Sequence, residues 1–308
     1  MKTLGIIDIG SNSIKLIIVQ INNDNSYNEI FHQKFQTRLS DYIEIDSKEL
    51  SILGMKNLFD IIFTFRKYCD EYYCNEIISV ATESFRQLKN SQYIINNIKS
   101  SLNINIKILS PDEECYYGYL SSFPSNINNY IHLDIGGGSV EIGLIKNNAL
   151  ISSLSIPMGA LNITNRFHIK DGISNNEIIE IKKYIYDKLK DINWIDECNN
   201  LPVIVIGGSI KTIGRIHQKE QDLEEDIHGY KLYSNDIDLL LNKFSALTLE
   251  DIIATTGISK TRGDILLGAL IIISSILTYL NSSKIIISKY TIREGLVKNY
   301  INHSIILS

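Results

Sequence analysis

Positive charge is in short supply in this chain: 30 Lys and Arg stand against 35 Asp and Glu, for a formal charge of −5. Phosphate-backbone affinity needs a broad basic field, so a general nucleic-acid binder is excluded and any anionic ligand has to be held by a local, organised site. Cysteine is scarce too. Cys69, Cys74, Cys115 and Cys198 show no CxxC spacing and no dense framework, which excludes a disulfide-stapled scaffold and fits reduced thiols in a cytoplasmic protein. A secretory h-region is missing, because Asp8 interrupts the first apolar run almost at once. The most apolar stretch, Ile265–Leu280 (ILLGALIIISSILTYL), is shorter than the roughly 20 residues a bilayer span requires and reads as a buried helix.

What is present is ordinary globular material: 308 residues, 44% hydrophobic and 21% charged, enough for two medium domains with a core each. Two stretches stand out, GIIDIGSNSIKLII at 5–18 and IHLDIGGGSVEIGLI at 131–145. Each ends an apolar strand on a lone aspartate, makes a tight Gly/Ser turn and resumes an apolar strand. The separation of Asp8 from Asp134 is far too long for a solenoid repeat and suits two copies of one domain.

Alternation predicts strands over Leu4–Asp8 and Ile14–Gln20, joined by Gly10, Ser11, Asn12 and Ser13, and a third strand follows. Helical spacing of Leu50, Leu53, Leu58, Ile61, Ile62 and Phe65 predicts a helix within Glu49–Cys74. Then come a strand at Ile77–Ala81, a helix at Ser91–Ser101 and a strand at Ile104–Leu109. A helix opens at Pro111, with Pro in its first turn and Asp112, Glu113 and Glu114 where the helix dipole favours acids. The segment SSFPSNINNY at 121–130 reads as a linker. After it the strand–turn–strand pattern restarts at Tyr130 and continues with Ala149–Ser155. Helices are expected at Asn175–Asn193, Asp236–Lys243, Leu247–Thr255 and Ile265–Leu280, and a buried strand Leu201–Ile206 runs into Gly207, Gly208 and Ser209. The implied architecture is α/β, in two similarly built lobes whose loops face one cleft. Their expected bounds are 1–123, completed by a C-terminal helix at about 295–308, and 124–294.

A glycine-rich turn leaves backbone N–H groups pointing one way with no side chain in front of them, a nest for phosphate oxygens, and Ser and Asn add donors. An aspartate beside such a nest makes sense when a divalent cation bridges the two. The alternative is a plain hairpin turn, in which Asp and Gly are common.

The sequence resembles the actin/sugar kinase/Hsp70 superfamily and, within it, the exopolyphosphatase/guanosine pentaphosphate phosphatase (Ppx/GppA) family. The resemblance rests on DIGSNSIKL at 8–16, ATESFRQLKN at 81–90, ILSPDEECYYGYL at 108–120, DIGGGSVEI at 134–142, SIPMGALNIT at 155–164, IGGSIKTIG at 206–214, TRGDILLGA at 261–269 and REGL at 293–296. It implies two actin-like (RNase H-like) lobes and a phosphoric anhydride hydrolase that removes terminal phosphate from inorganic polyphosphate by metal-assisted attack of water. Glu114 matches the general base, with Glu113 beside it as a rival. Asp8, Asp134 and Glu141 match the residues around a Mg²⁺ or other divalent ion. Gly10–Ser13, Gly136, Gly137, Gly138 and Ser139 match phosphate-binding turns, and Arg86, with Arg38 and Arg293, further phosphate contacts. Gly207, Gly208 and Ser209 lie where nucleotide-binding relatives hold the nucleoside. The alternatives are hydrolysis of guanosine pentaphosphate and a non-catalytic sensor of guanosine polyphosphates or polyphosphate; a kinase fits less well, for want of an acceptor-sugar pocket. The implied partner is polyphosphate or guanosine polyphosphate, not nucleic acid or membrane, in the cytoplasm, with a homodimer among the allowed assemblies. Departures from the family pattern fall at Pro111, Ser84, Cys115 and Asn162, the last where a basic residue is usual. The resemblance is to the shorter members, and the expectation is a protein without the additional C-terminal domain of longer ones.

Overall fold

The structure, a computed structural model, describes residues 1–122, 127–169, 172–256, 258 and 260–306. The chain divides into two compact units, one formed by Met1–Glu114 with the segment from Leu296 onward, the other by Cys115–Gly295. The expected boundary at 123/124, the middle of the expected linker and the last two residues of the expected C-terminal helix lie outside the described residues.

The first unit is built on β1 (Lys2–Ile9), β2 (Ile14–Ile21) and β3 (Tyr27–Phe35), followed by α1 (Ile52–Glu71), β4 (Glu76–Ala81), α2 (Glu83–Gln87), α3 (Ser91–Leu102), β5 (Ile106–Ile108) and the start of α4 (Pro111–Ser122). β1 and β2 are apolar on both faces and almost wholly buried, whereas β3 alternates exposed and half-buried residues, as an edge strand does. The sheet order is β3-β2-β1-β4-β5; the first three strands form an antiparallel meander, and β4 and β5 add in parallel. α1 starts at Ser51, whose side chain accepts from the Gly54 N–H, and buries Leu58, Ile62, Phe65 and Cys69 at 4-3-4 spacing. Leu53, expected on that face, is 58% exposed instead: five residues before Leu58 it points about 140° away from it, and Gly54 takes the buried position.

The second unit contains β6 (Tyr130–Ile135), β7 (Val140–Lys146), β8 (Ala149–Ile156), α5 (Ala160–Arg166), α6 (Asn175–Leu189), β9 (Val203–Ile206), α7 (Gly208–Glu220), β10 (Lys231–Tyr233), α8 (Ser234–Ser245), α9 (Leu249–Thr256), α10 (Lys260–Gly263), α11 (Leu266–Tyr279) and β11 (Lys284–Ile287). α12 (Ile292–Ile306) follows and carries the chain back into the first unit. Read from its meander, this sheet runs β8-β7-β6-β9-β11-β10: three antiparallel strands, two parallel ones and an extra antiparallel edge. Apart from that edge the order repeats the first sheet. The most apolar segment is α11, buried along its length among α5, α6, α7 and α8. Among the described residues no helix is long and apolar enough to cross a membrane.

Candidate active site

Both hairpins close in the same way. In the first, Ile9 pairs with Ile14, and the Gly10 N–H donates to the Ser13 carbonyl at 3.2 Å; in the second, Ile135 pairs with Val140, and the Gly136 N–H donates to the Ser139 carbonyl at 3.0 Å. In each, the aspartate sits one residue before the strand's end, Asp8 opposite Lys15 and Asp134 opposite Glu141.

In the first unit Asp8 is buried, and the Lys15 ammonium reaches its Oδ2 at 3.1 Å. Ser11 and Ser13 are buried in the turn. Arg38 occupies left-handed backbone (φ 41°) and donates its N–H to the Asn12 carbonyl at 3.3 Å, which ties the segment after β3 to the turn. The buried Asn12 Oδ1, Thr37 Oγ1 and Ser84 Oγ have no hydrogen-bond partner among the described residues. Buried polar groups are seldom left unpaired, so these three, in the turn and the segments adjoining it, retain hydrogen-bonding capacity that water or a polar ligand could use. α2 begins against the same strand, the Thr82 N–H donating to the Ile9 carbonyl at 3.3 Å. Its first residue, Glu83, is buried and accepts from the Ser11 hydroxyl at 3.3 Å and from the Gln87 amide. Burial pushes the Glu83 carboxyl above its ordinary value, outweighing the Arg86 charge and the hydrogen bonds from Ser11 and Gln87.

Arg86, one turn along α2, donates from Nη1 to the Leu109 carbonyl at 2.9 Å and to Glu114 Oε2 at 2.7 Å. Among the described residues Nη2 and Nε of its fork make no further bond, so one edge stays available for an anion. The two neighbouring acids of α4 have separate surroundings. Glu113 caps the helix: its Oε2 accepts the Ser110 N–H at 2.9 Å, its own N–H donates to Ser110 Oγ at 3.2 Å, and Lys107 pairs with Oε1. Burial would raise its carboxyl, but the bonds from Lys107 and Ser110 prevail and hold it below its ordinary value. Glu114 is buried, on Arg86.

In the second unit the turn is oriented by α5. The carbonyl of Gly136 accepts the Ala160 N–H (2.9 Å), that of Gly137 the N–H groups of Leu161 (2.9 Å) and Asn162 (3.2 Å), and that of Gly138 the Gly159 N–H (3.0 Å). Asn162 adds its side-chain amide to the Gly138 carbonyl at 2.6 Å, so the departure at that position serves the turn itself. In a trans peptide C=O and N–H point in opposite directions, so the amides of Gly137, Gly138 and Ser139 are aimed away from α5, on one side of the turn. This close docking requires Gly159: a Cβ there would lie 2.5 Å from the Gly137 carbonyl carbon and oxygen. Glu141 is fully buried, and its Oε1 accepts from the hydroxyls of Ser139 (2.6 Å) and Ser155 (2.7 Å).

Gly207, Gly208 and Ser209 do not form a free turn; they start α7, with Gly207 at φ 124° and any Cβ there 2.6 Å from the Ile135 carbonyl. The Gly208 carbonyl and Thr212 Oγ1 accept from Arg262 Nη1 at 2.6 and 2.7 Å, an anchor whose role spacing alone does not reveal. Arg293 is half-buried at the start of α12 and bonds Thr291 Oγ1 at 3.1 Å. Glu83 and Gly159 are further additions to the expected set; both lie in stretches already marked, ATESFRQLKN and SIPMGALNIT.

Residues 17–303 match the Ppx/GppA phosphatase family. The chain is 28% identical over 298 residues to the bifunctional 3-dehydroquinate synthase/phosphatase of Fusobacterium nucleatum, covering 92% of itself but only 44% of that protein, so it spans less than half of that relative. It is 20% identical over 299 residues to exopolyphosphatase 1 of Mycobacterium tuberculosis, covering 96% of itself and 87% of that protein. Among solved structures, an exopolyphosphatase from Cytophaga hutchinsonii superposes with a TM-score of 0.89 at 23% identity, over 98% of both chains. That likeness shows the fold, and the expected actin-like α/β class is the class found.

Proposed function

The chain belongs to the Ppx/GppA phosphatase family, and on that premise we propose that it hydrolyses the terminal phosphoanhydride of inorganic polyphosphate. The observation that carries this is Glu114: a buried carboxylate at the start of a helix, its charge met and its position fixed by Arg86. Phosphoryl transfer passes through a loose transition state and asks the protein for alignment and charge neutralisation more than for covalent help. A carboxylate locked in place can orient the attacking water and receive its proton late. Glu113, spent on capping, is the weaker candidate for that task.

The two hairpin turns are assigned the phosphate oxygens. Gly137, Gly138 and Ser139 offer amides; Ser11, Asn12 and Ser13 offer side chains in a region with unpaired buried polar atoms. Arg86 adds its open edge, and Arg38, tied to the first turn, adds a second guanidinium. Arg293 and the Gly207–Ser209 helix start complete the expected set without a contact that gives them a task.

A divalent cation fits the second unit. Asp134 and Glu141 lie directly opposite on one face of paired strands, so their Cβ atoms are about 5 Å apart. An all-oxygen donor set with one or two carboxylates is what Mg²⁺ takes while keeping several waters, so the absence of any cluster of three His, Cys, Asp or Glu among the described residues is compatible with it. When bound, the ion would neutralise charge on the phosphoryl oxygens. Asp134 would hold it, with Glu141 behind. Asp8, expected as a partner ligand, has its charge met by Lys15 within its own hairpin.

The test is phosphate release from polyphosphate, guanosine pentaphosphate and ATP, with Mg²⁺ and with chelator. Release from polyphosphate that outpaces the other two supports the reading. Faster release from guanosine pentaphosphate moves the substrate assignment, and tight binding without turnover at any metal concentration replaces the enzyme with a sensor. The setting that goes with the reading is the cytoplasm.

A further inference from the structure

Glu83 is a carboxylate where a phosphate site should have none. It opens α2, is 8% exposed, and its Oε2 faces the hydroxyl of Ser11, a donor of the first turn. No cation pairs with it directly among the described residues: Gln87 donates to its other oxygen, and Arg86, the nearest guanidinium, is drawn to Glu114 and the Leu109 carbonyl. The other charged groups of the elements around it are Asp8 and Lys15, paired with one another on the hairpin, and Arg38, tied to the turn by its backbone.

An ionised carboxylate can only accept, so it takes the Ser11 O–H. A phosphoryl oxygen arriving in the turn also only accepts, and needs that same proton. The Ser11–Glu83 contact, at 3.3 Å, is long for an O–H···O bond, so the hydroxyl is engaged by the ionised carboxylate without being locked to it. Ionised Glu83, itself buried, would also repel the phosphate. Once protonated it does neither: the Ser11 hydroxyl is free to turn, and the carboxylic acid becomes a second donor.

We propose that Glu83 is an internal competitor of the substrate, a positioning residue whose ionised form withholds the Ser11 hydroxyl from the phosphoryl group and whose neutral form releases it. This rests on the reading of the first turn as a phosphate site. The burial that already pushes the Glu83 carboxyl upward places its titration closer to working pH than that of an exposed glutamate. By linkage, if bound phosphate raises that group by about one further unit, ionised Glu83 weakens phosphate binding by about tenfold.

The experiment measures KM and kcat for tripolyphosphate against pH, at fixed Mg²⁺, for the full chain and for Glu83→Gln. The substrate's own ionisation affects both proteins alike, so the ratio of their KM values isolates Glu83. The expected ratio is near one at the acid end and rises by about tenfold at the alkaline end. Calorimetric binding of tripolyphosphate in two buffers of different ionisation heat should show proton uptake by the wild type that Glu83→Gln lacks. In Ser11→Ala the advantage of Glu83→Gln should shrink, because the contested hydroxyl is gone. A KM ratio constant with pH, or equal proton uptake in both proteins, overturns the competition. Failure of both proteins to bind or turn over tripolyphosphate at every pH overturns the phosphate reading of the turn, and this inference with it.

Discussion

Arg86 Nη1 lies 2.7 Å from Glu114 Oε2, joining the last turn of α2 to the first turn of α4 through two side chains that are 19% and 9% exposed. Because Nη1 also holds the Leu109 carbonyl, the arginine is fixed at two points, and it fixes the carboxylate in turn. Glu114→Gln keeps the shape and loses the proton acceptor. Phosphate release should fall by about 10² to 10⁴, the usual worth of a positioned acid–base group, with the melting temperature little changed. Undiminished release by that variant would remove Glu114 from the role.

Arg86→Ala should cost more stability than Glu114→Gln. It strips a nearly buried carboxylate of its partner and the Leu109 carbonyl of its donor; breaking a buried pair from one side costs about 3 kcal/mol. Denaturant titration of the two variants gives the comparison, and a smaller loss for Arg86→Ala would mean that solvent already screens the pair.

Acid should unfold the second unit through His132. The ring is fully buried on β6, Nδ1 lies 3.0 Å from Ser122 Oγ, Nε2 has no partner among the described residues, and a Cβ on Gly118 would stand 2.5 Å from Nε2. Burial pushes its pKa down to about 3 from an ordinary 6.5. The unfolded chain therefore binds a proton that the folded chain refuses. The stability is fully present above pH 6.5 and is lost as pH falls toward 3, at about 1.4 kcal/mol per pH unit from this group alone. His132→Gln, which has no such titration, should flatten the fall in melting temperature between pH 6 and pH 4, both taken as rough bounds of that window; an unchanged slope would assign the acid sensitivity elsewhere.

The two turns were legible because strand alternation, a lone aspartate and Gly/Ser punctuation are local signals that tertiary context did not override. The burial of Ile265–Leu280 is legible for the same reason, since its 14-residue helix, apolar but for Ser274, Ser275 and Thr278, offers no polar face to solvent and packs into the core. What local pattern could not give was partnership across the chain. The partner of Arg86 lies 28 residues away, and which of two adjacent acids it would choose depends on α4 starting at Pro111, so that Glu113 reaches back to Ser110 while Glu114 turns inward. Short or uncapped elements were also missed. α7 begins on Gly207 and Gly208 with no side-chain cap, β10 is three residues long, and α2 is five.

Gly159→Ala tests whether the second turn needs α5. The backbone there (φ −63°) accepts any residue, so the cost is contact alone: the methyl would stand 2.5 Å from the Gly137 carbonyl carbon and oxygen and 2.6 Å from the Gly138 carbonyl carbon. Backbone on both sides cannot move aside as a flexible side chain would, and overpacking of this kind costs about 2 kcal/mol. The turn would be pushed off the α5 N-terminus and its amides would lose their common aim. Phosphate release should therefore fall more than the loss of stability explains, measured at a temperature where the variant is still folded. Full activity in a destabilised protein would separate the turn from substrate binding.

Metal dependence offers the sharpest check on Asp134 and Glu141, because the second carboxylate can be disturbed without being removed. Chelator should abolish release, and Asp134→Asn should not be rescued by excess Mg²⁺, since an amide brings neither the charge nor the bridging capacity of the carboxylate. Ser155 touches Glu141 Oε1 at 2.7 Å and is the residue to change next. If Glu141 supports the ion, Ser155→Ala loosens its carboxylate and should shift the Mg²⁺ concentration giving half-maximal activity upward by 10- to 100-fold, roughly the usual cost of losing an outer-shell hydrogen bond, with the maximal rate recovered at saturation. If Glu141 only anchors the turn through Ser139, the same variant lowers the maximal rate and leaves the Mg²⁺ curve where it was.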